Sequence, residues 1–479
     1  MALTSIPLAA QSYDLSARLA AGQRLVNLYP ERMPEASRTP FVLRSTPGLY
    51  SYVAFANNAG PVWAMAAMPG ILYVVSANAL YRLRTDGGGP AGGGWEAVGS
   101  IDPVSTGIVS LALGAQEVVV NNGDRAFFAR HEGPLVRLTA ADHNFPVAGS
   151  SSVAYIDGYF VFTDWFGQFF FVSKPGEGAG AFDSLDFAKS ERRPDIVNWA
   201  AALNGELWLF GRHSISVWYN AGASDFPFRE RAGSVQDRGL AAPRTLAVLD
   251  RSFVFLGNDR IVYKTEGYQL RRISDFALEE KLGRYTPITG LSGYAFTFEG
   301  HQFYALNLPE TDGGRTFVWD ASTGVWHERA SGADGRGLWL AQRAVQFGDL
   351  ALLGSNRSGE LFVMDRNVGT DDGVPLLRQA VLPPLVAQGR RQFMSALEVD
   401  METGTDDPAD PRALAVEWTD DAGVTWSAPR VLLTGGPNAT RTRVRTTRLG
   451  SFRQRSFRLR ANGRPTIFAV DADVEAGAH

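Results

Sequence analysis

The stretch that decides the fold is LWLFGRHSISVW, residues 207–218. Two runs of aromatic, β-branched and other apolar residues, 207–210 and 215–218, flank a short polar stretch that contains Gly211. β-branched and aromatic side chains fill the surface of a pleated strand, and glycine permits the backbone conformation of a tight turn. The stretch therefore predicts a β-hairpin of two short, largely buried strands.

The same arrangement recurs along the chain on both sides of this hairpin. Six further segments place two apolar runs around a turn: 71–83, 118–128, 159–172, 253–263, 317–326 and 351–364. A recurrence every ~40–50 residues is typical of propeller blades, and sheets packed around an axis bury each other and keep only short edges. We predict an all-β fold, a β-propeller of roughly six to eight blades, with two stacked sandwiches as the alternative.

The chain divides into three predicted parts. Residues 1–50 are polar, contain prolines and lack the repeat, which predicts an N-terminal interface segment. Residues 51–382 form the predicted propeller. The sequence LPPL at 382–385 marks a boundary, after which 383–479 form a predicted C-terminal β-rich module. Long helices are nearly absent, and one short candidate spans Ser274–Leu282, where Ser274 is a suitable N-cap.

Composition and motifs exclude several kinds of chemistry. The chain has 479 residues and no cysteine, which excludes disulfides, thiolate catalysis and sulfur-ligated zinc. None of the six histidines forms an i,i+4 pair, and neither a G-x-S-x-G elbow nor a phosphate-binding G-x-x-x-x-G-K-[ST] loop occurs. We therefore predict that the protein is not an enzyme and has no catalytic residue, no cofactor and no metal ligand.

The chain also lacks signals for export or membrane insertion. Its first ten residues contain no basic region, and no window approaches the ~18 consecutive apolar residues of a membrane span. We expect synthesis in the cytoplasm and no insertion into a membrane.

Charge is distributed unevenly, although the net charge is only −4. Residues 422–470 contain ten arginines and no acidic residue, whereas 398–421 contain nine carboxylates. In a strand, the alternation RTRVRT at 441–446 places its arginines on one face. The candidate DNA-channel or subunit-interface residues are Arg441, Arg443, Arg445, Arg448, Arg453, Arg455, Arg458 and Arg460.

Two interpretations of these arginines remain open. They form either a solvated sheet face, paired with the preceding acidic stretch, or a basic surface that contacts an acidic partner subunit or DNA phosphates. In a ring of subunits, the second arrangement would multiply the positive field. Sequence-specific DNA recognition is not expected, because the sequence has no helix-turn-helix or zinc motif.

One local motif is sharp. Residues 419–426, TDDAGVTW, match the Asp-box pattern [ST]-x-D-x-G-x-T-W. Asp421 can accept hydrogen bonds from the turn backbone, Gly423 permits an unusual φ, and Trp426 can pack beneath the hairpin. The motif resembles the turns of sialidase propellers, where it is a folding device. We predict a structural hairpin here, with a carbohydrate-binding or sialidase-like β-propeller as the alternative function.

Several short segments, taken in order, resemble the packaged-DNA stabilization proteins of short-tailed phages. The chain opens with QRLVNLYPE at 23–31 and STPGL at 45–49. LNGELWLFG at 203–211 leads to ISVWY at 215–219, and RLG follows the Asp box at 448–450. The resemblance covers most of the chain in scattered motifs, and their order and the total length support it.

This resemblance implies a function. Members of that family are virion proteins of the tail, where they act in head completion as a homohexameric ring, the tail nozzle or hub. The ring lies below the portal and its adaptor proteins, extends the DNA channel and retains the packaged DNA. Its contact with that DNA is expected to be non-specific. It also anchors distal tail proteins such as a fibre, spike or needle. The family offers no catalytic residue that could be carried over to this sequence.

Overall fold

The computed structural model of the protein describes residues 4–14, 22–35, 37, 39–55, 60–84, 94–102, 104, 107–145, 149–164, 167–176, 178, 180, 182–189, 195–223, 225–310, 313–387, 390–403, 413–435 and 441–476. Six strands come first: β1 (Thr4–Ile6), β2 (Tyr13–Asp14), β3 (Gly22–Val26), β4 (Leu28–Arg32), β5 (Phe41–Ser45) and β6 (Gly48–Ala54). They serve two different parts of the molecule, described below.

The next elements form four successive antiparallel sheets of four strands each. The first blade contains β7 (Val62–Met68), β8 (Ile71–Ser76), β9 (Ala79–Arg84) and β10 (Trp95–Ser100). The second contains β11 (Ser110–Leu113), β12 (Glu117–Asn121), β13 (Ala126–Arg130) and β14 (Val136–Arg137), followed by the short helix α1 (Ala140–His143). The third contains β15 (Ser150–Ile156), β16 (Tyr159–Asp164), β17 (Phe169–Ser173) and β18 (Phe182–Lys189). The fourth contains β19 (Val197–Leu203), β20 (Glu206–Gly211), β21 (Ile215–Asn220) and β22 (Phe228–Glu230).

Three more blades complete the ring. A 3₁₀ turn (Pro243–Thr245) leads into the fifth blade, β23 (Ala247–Leu249), β24 (Ser252–Leu256), β25 (Val262–Glu266) and β26 (Gln269–Arg272). Helix α2 (Phe276–Arg284) and a 3₁₀ turn (Ile288–Gly290) precede the sixth blade, β27 (Ser292–Phe298), β28 (His301–Leu308), β29 (Arg315–Asp320) and β30 (Val325–Arg329). The seventh contains β31 (Ala341–Phe347), β32 (Leu350–Ser355) and β33 (Glu360–Asp365). The β-propeller predicted from the sequence is confirmed, with seven blades.

The hairpin at residues 207–218 shows why these hairpins are apolar on both faces. Trp208 and Phe210 of the fourth blade pack against Phe253 of the fifth, at ring-centroid distances of 5.4 and 5.3 Å. Leu207 and Leu209 point the other way and share a core with the third blade. Because each blade lies between two others, the side chains on both faces of a strand are buried.

The N-terminal strand β6 closes the propeller. It pairs antiparallel with β33, with Leu49 opposite Met364, and supplies the outer strand that the seventh blade would otherwise lack. The short strands β34 (Thr370–Asp371) and β35 (Val374–Pro375) extend this sheet beyond β6. The ring is therefore closed by residues more than 300 positions apart along the chain.

The remaining strands build a sandwich: β36 (Arg378–Val381), β37 (Leu385–Val386), β38 (Gln392–Glu402), β39 (Ala413–Thr419), β40 (Arg430–Leu433), β41 (Arg441–Phe452), β42 (Gln454–Ala461) and β43 (Thr466–Ala476). We call the layer β4-β5-β43-β38-β41, with β1 on β43, sheet I. The layer β3-β36-β42-β39-β40, with β2 and β37 at its sides, is sheet II. Their facing side chains form one core, which includes Leu25, Leu43, Leu397 and Leu459. Strands from residues 1–50 thus lie in both layers.

Sheet II continues into the propeller. β3 pairs in parallel with β30 of the sixth blade through Val26 and Glu328. Beside this contact, Arg24 donates from Nε and Nη2 to the Glu328 carboxylate at 2.9 and 2.8 Å. Buried Arg378 donates to the carbonyl oxygens of Gly369 and Leu376 at 2.9 and 2.8 Å. The propeller and the sandwich are therefore joined by backbone pairing and by charge-assisted hydrogen bonds.

Helix α2 differs from the prediction in its N-cap. Asp275, and not Ser274, caps it by accepting a hydrogen bond from the Leu278 amide at 2.8 Å. The Ser274 hydroxyl is already engaged, because it accepts from the Val262 amide at 3.0 Å and donates to Glu279. Among the residues that the structure describes, no helix is long and apolar enough to cross a bilayer.

Candidate functional site

Three of the candidate arginines lie together on β41, the edge strand of sheet I. Arg441, Arg443 and Arg445 alternate with core-facing Val444 and other inward residues, so their side chains project from the outer face. All three are exposed, with the Arg441 side chain 69% accessible. The predicted alternation of this strand is the geometry that the structure has.

Carboxylates from the acidic stretch lie directly beside these arginines. On the neighbouring strand β38, Asp400 is 2.9 Å from Arg441, and Glu398 is 3.8 Å from Arg443 and 3.5 Å from Arg445. Such pairing across a strand supports the sheet, although exposed pairs contribute only about 0–1 kcal/mol each. The hydrogen bond to Asp400 raises the pKa of Arg441 above its ordinary value.

The outer face of sheet I carries more acid than its arginines alone suggest. Asp471 and Asp473 on β43 are in register with β38, opposite Glu398 and Ala396. Together with Glu398, Asp400 and Glu402, they make five carboxylates beside three arginines. The basic strand is therefore the rim of a face that is not basic as a whole.

Two further arginines lie on the outer face of sheet II. Arg458 donates from Nε and Nη2 to the Glu417 carboxylate at 2.8 Å each, and Arg460 Nε is 2.8 Å from the same carboxylate. The Arg458 guanidinium also stacks on the Trp426 ring, 4.2 Å from its centroid. Glu417 is buried, so two cations on one side of the sheet neutralise a desolvated acid.

Arg455 has a structural environment. It is only 2% accessible and points to the end of the sandwich core. Its Nε and Nη2 atoms donate to Asp420 at 2.7 Å each, and Nη1 donates to the Leu449 carbonyl at 2.7 Å. The Phe452 ring lies 4.9 Å from its guanidinium. Every part of this side chain is therefore engaged within the chain.

The last two candidates lie within and just after the end of β41. Arg448 is exposed and adopts a φ of 61° within β41. Arg453 is exposed at the connection between β41 and β42, and its carbonyl accepts from the Ala387 amide at 2.8 Å. The eight arginines are thus divided between sheet I, sheet II, the core end and the connection between β41 and β42, and only Arg441, Arg443 and Arg445 form one row.

The Asp box lies in the sandwich, at the connection between β39 and β40. The Asp421 carboxylate accepts from the Thr425 amide at 2.9 and 3.0 Å and from the Thr419 hydroxyl at 2.6 Å. Hydrogen bonds lower the pKa of Asp421 to about 2, and the bonds from the Thr419 and Thr425 hydroxyls have the largest effect. Gly423 has a φ of 85°, and Trp426 packs under Arg458. All of these contacts stay within the sandwich, which favours the structural interpretation over carbohydrate chemistry.

Sequence reasoning missed three exposed apolar residues in β40 and the Asp-box turn. On β40, the edge strand of sheet II, Val431 and Leu433 are 63% and 79% accessible, whereas Leu432 between them packs on the core. Val424 of the Asp-box turn is 75% accessible. The run RVLL gave no signal, because an edge strand with apolar residues on both faces cannot be told from a buried one by periodicity.

Comparisons with known proteins address the whole chain. The family model described as bacteriophage P22 Gp10, beta-propeller, matches residues 6–369. The model described as bacteriophage P22 Gp10, beta-sandwich, matches residues 378–477. No curated protein matches the chain.

Similar solved structures include three propellers. The WD40 β-propeller domain of Doa1 is 13% identical, with 66% of this chain and 96% of that chain covered and a TM-score of 0.40. BamB from Moraxella catarrhalis is 12% identical, with 76% and 98% covered and a TM-score of 0.40. The Pan2 WD40 domain from Neurospora crassa is 9% identical, with 70% and 97% covered and a TM-score of 0.41.

Both parts of the fold coincide with the two family matches. The propeller lies within residues 6–369, and β36 to β43 of the sandwich lie within 378–477. The family resemblance inferred from the sequence is thereby confirmed. This chain belongs to the bacteriophage P22 Gp10 family, a family of phage structural proteins of the virion tail.

Proposed function

We propose that the protein is a non-enzymatic subunit of a homohexameric ring in the tail of a short-tailed phage. In this proposal the ring lies below the portal and adaptor, extends the DNA channel, retains the packaged genome and anchors a distal fibre, spike or needle. The observation that carries the proposal is the match of both family models, in order, over residues 6–369 and 378–477. The features below support it.

A ring that holds packaged DNA needs subunits that do not bend between their domains. Here sheet II crosses from the sandwich into the sixth blade through β3 and β30. Asn27 adds two hydrogen bonds of 2.9 Å, which its side-chain amide donates to the carbonyls of Ala330 and Leu377. Arg378 adds those to Gly369 and Leu376. Hydrogen bonds from these buried side chains to backbone carbonyls favour one fixed arrangement of the junction.

We infer that neighbouring subunits meet at the sandwich edge formed by β40 and β41. Val431 and Leu433 lie on the sheet II strand of this edge, and the arginine row of Arg441, Arg443 and Arg445 lies on its sheet I strand. The two sets project from the two outer faces of the sandwich. Arg430 of β40 joins the two strands by donating to Thr446 Oγ1 at 3.1 Å. Exposed apolar residues near arginines are typical of protein interfaces, and unpaired edges favour association. The occupant we assign is a second copy of this chain.

The charge balance supports one of the two roles considered for the arginine row. A DNA-lining surface needs a net positive field, since binding to phosphates depends on unneutralised cations. The five carboxylates beside Arg441, Arg443 and Arg445 reduce that field, whereas they suit a subunit contact with alternating charge. We therefore favour the interface role, and the DNA-channel role stays a prediction.

Oligomeric state tests the ring. Native mass spectrometry and negative-stain microscopy of the full chain should show a hexamer, alone or on portal–adaptor complexes. The double variant Val431→Asp, Leu433→Asp should shift the population to monomer. The matched control is Val136→Asp, which alters an exposed valine on the outer strand of the second blade and should leave assembly unchanged. A monomer under every condition, including with portal and adaptor, would overturn the ring.

Phage particles test the arginine row. Replacing Arg441, Arg443 and Arg445 together with serine should weaken assembly or genome retention in a complementation assay, while circular dichroism shows a retained β fold. As a control, exposed Arg251, Arg284 and Arg357 are replaced together with serine, which changes the net charge by the same amount. Particles that assemble and hold DNA at wild-type levels would show that the row is merely solvated.

A further inference from the structure

Several of the inner strands, which surround the propeller axis, contain a β-bulge near their first residue. Four inner strands carry a register shift at their second residue, between Val62 and Ala64, Ser150 and Ser152, Val197 and Trp199, and Ala341 and Arg343. A bulge leaves one residue unpaired, bends the strand and turns a side chain in a new direction. These shifts all lie where inner strands begin, so they gather at one end of the axis.

Two arginines from different blades meet at this end. Arg343 is the third residue of β31 in the seventh blade, and Arg244 lies in the 3₁₀ turn before β23 of the fifth. Both contact Trp63 of the first blade. Arg343 Nε donates to the Trp63 carbonyl at 2.7 Å, and the Arg244 guanidinium lies 5.2 Å from the Trp63 ring centroid. Gln342 joins them, as its carbonyl accepts from Arg343 at 2.8 Å and its side-chain oxygen from Arg244 at 3.4 Å.

Neither arginine has an ion-pair partner among the residues that the structure describes. The hydrogen bonds of Arg343 go to two backbone carbonyls, and Arg244 Nε is buried without a hydrogen-bond partner. Burial, and then the charge on Arg244, lowers the pKa of Arg343 to about 9. Burial also lowers the pKa of Arg244. Two adjacent, partly desolvated cations without a carboxylate are unfavourable unless an anion joins them.

The neighbouring backbone packs directly against one of the two guanidinium groups. Gly107, just before the second blade, has a φ of 67°. A Cβ at this position would lie 3.0 Å from Arg244 Nη1 and 3.1 Å from the Trp63 ring. Any larger residue would therefore press on the guanidinium. Both arginines nevertheless remain partly accessible.

We infer that Arg244 and Arg343 form a binding site for a phosphate-type dianion on the propeller axis. Two guanidinium groups supply a matching charge of +2 and forked donors that fit tetrahedral oxyanions. A single carboxylate would neutralise only one of them. The inference does not depend on the proposed ring, because the site lies within one chain.

Calorimetry on the full chain tests the site with inorganic phosphate as the probe. Titrations at constant ionic strength, adjusted with sodium chloride, should show one site per chain. Arg244→Gln and Arg343→Gln should each weaken phosphate binding by roughly tenfold or more, as expected for a lost charged hydrogen bond. The control Arg453→Gln, at an exposed turn of the sandwich, should bind as the unaltered protein does.

A second measurement needs no variant, in case a substitution impairs folding. Crystals of the unaltered protein soaked in tungstate, a heavy tetrahedral dianion, should show an anomalous peak within hydrogen-bond distance of both guanidinium groups. Absence of that peak together with absence of measurable phosphate binding would overturn the inference. Acetate that binds as tightly as phosphate would overturn the assignment of a dianion.

Discussion

Closure of the propeller by β6 leads to a quantitative prediction for Leu49→Ala. Leu49 is fully buried and packs with Leu353, Phe362 and Met364 in the core of the seventh blade. Removing a fully buried leucine side chain costs the lost transfer free energy plus a cavity term, about 2–5 kcal/mol. Because the contacts surround Leu49 on a paired strand, we expect about 3 kcal/mol, which is a large part of the stability of a typical domain.

Hydrogen exchange followed by mass spectrometry measures this loss where it acts. Amides of β33, which pair with β6, should exchange roughly two orders of magnitude faster in the variant, since 1.4 kcal/mol corresponds to about tenfold. Peptides from β38 of the sandwich provide an internal reference. The control Tyr50→Ala alters the adjacent residue, which is 42% accessible on the opposite face of β6, and should cost under about 1 kcal/mol.

Equal exchange of β33 in the variant and the unaltered protein would refute the reasoning. It would mean that the seventh blade is held by its own three strands and by its neighbours, without the N-terminal strand. A global loss that affects β38 as much as β33 would instead show that the propeller and the sandwich unfold as one unit.

Three more outcomes are expected. Arg455→Lys keeps the charge but loses the forked contact with Asp420, so urea unfolding should show a loss of about 2 kcal/mol, against little change for the exposed control Arg453→Lys. Burial raises the pKa of Asp371 from about 3.8 in the unfolded chain to about 6 in the folded protein. The free energy of unfolding should therefore fall as pH rises from 3.8 through 6, because the carboxyl group loses its proton less readily in the folded state. Asp371→Asn should therefore gain stability relative to the unaltered protein between pH 4 and 7, measured from urea midpoints. The lowered pKa of Asp421 has the opposite effect, because its ionised form is the one that stabilises the fold. Asp421→Asn should therefore lower the melting temperature at pH 7, and this difference should vanish as pH falls towards 2.

Local patterns were sufficient to predict the blades. All seven segments of paired apolar runs became adjacent strands of one blade each, from β8 and β9 to β32 and β33. These strands are buried on both faces and turn within a few residues, so the information that specifies them is contiguous. The first strand of each blade is harder to recognise; β7, for example, reads VWAMAAM and has little alternation.

Pairing between distant segments could not be predicted. Nothing local indicates that β6 belongs to the seventh blade or that β3 continues a sheet from β30, because both depend on contacts across hundreds of residues. The arginines show the same limit. The alternation at 441–446 predicted their shared face, but the carboxylates that accompany them on β38 and β43 follow only from strand order.

N-terminal strands complete both the propeller and the sandwich, and this has a consequence for synthesis on the ribosome. Strands β3 to β6 emerge early, yet their partners β33, β36 and β43 follow about 300–400 residues later. At roughly 5–20 residues per second, the nascent chain waits on the order of tens of seconds before either module can close. During that interval the apolar faces of the first strands lack a cover, so chaperone binding to residues 22–54 should set the yield of assembled tails more than the stability of the finished fold does.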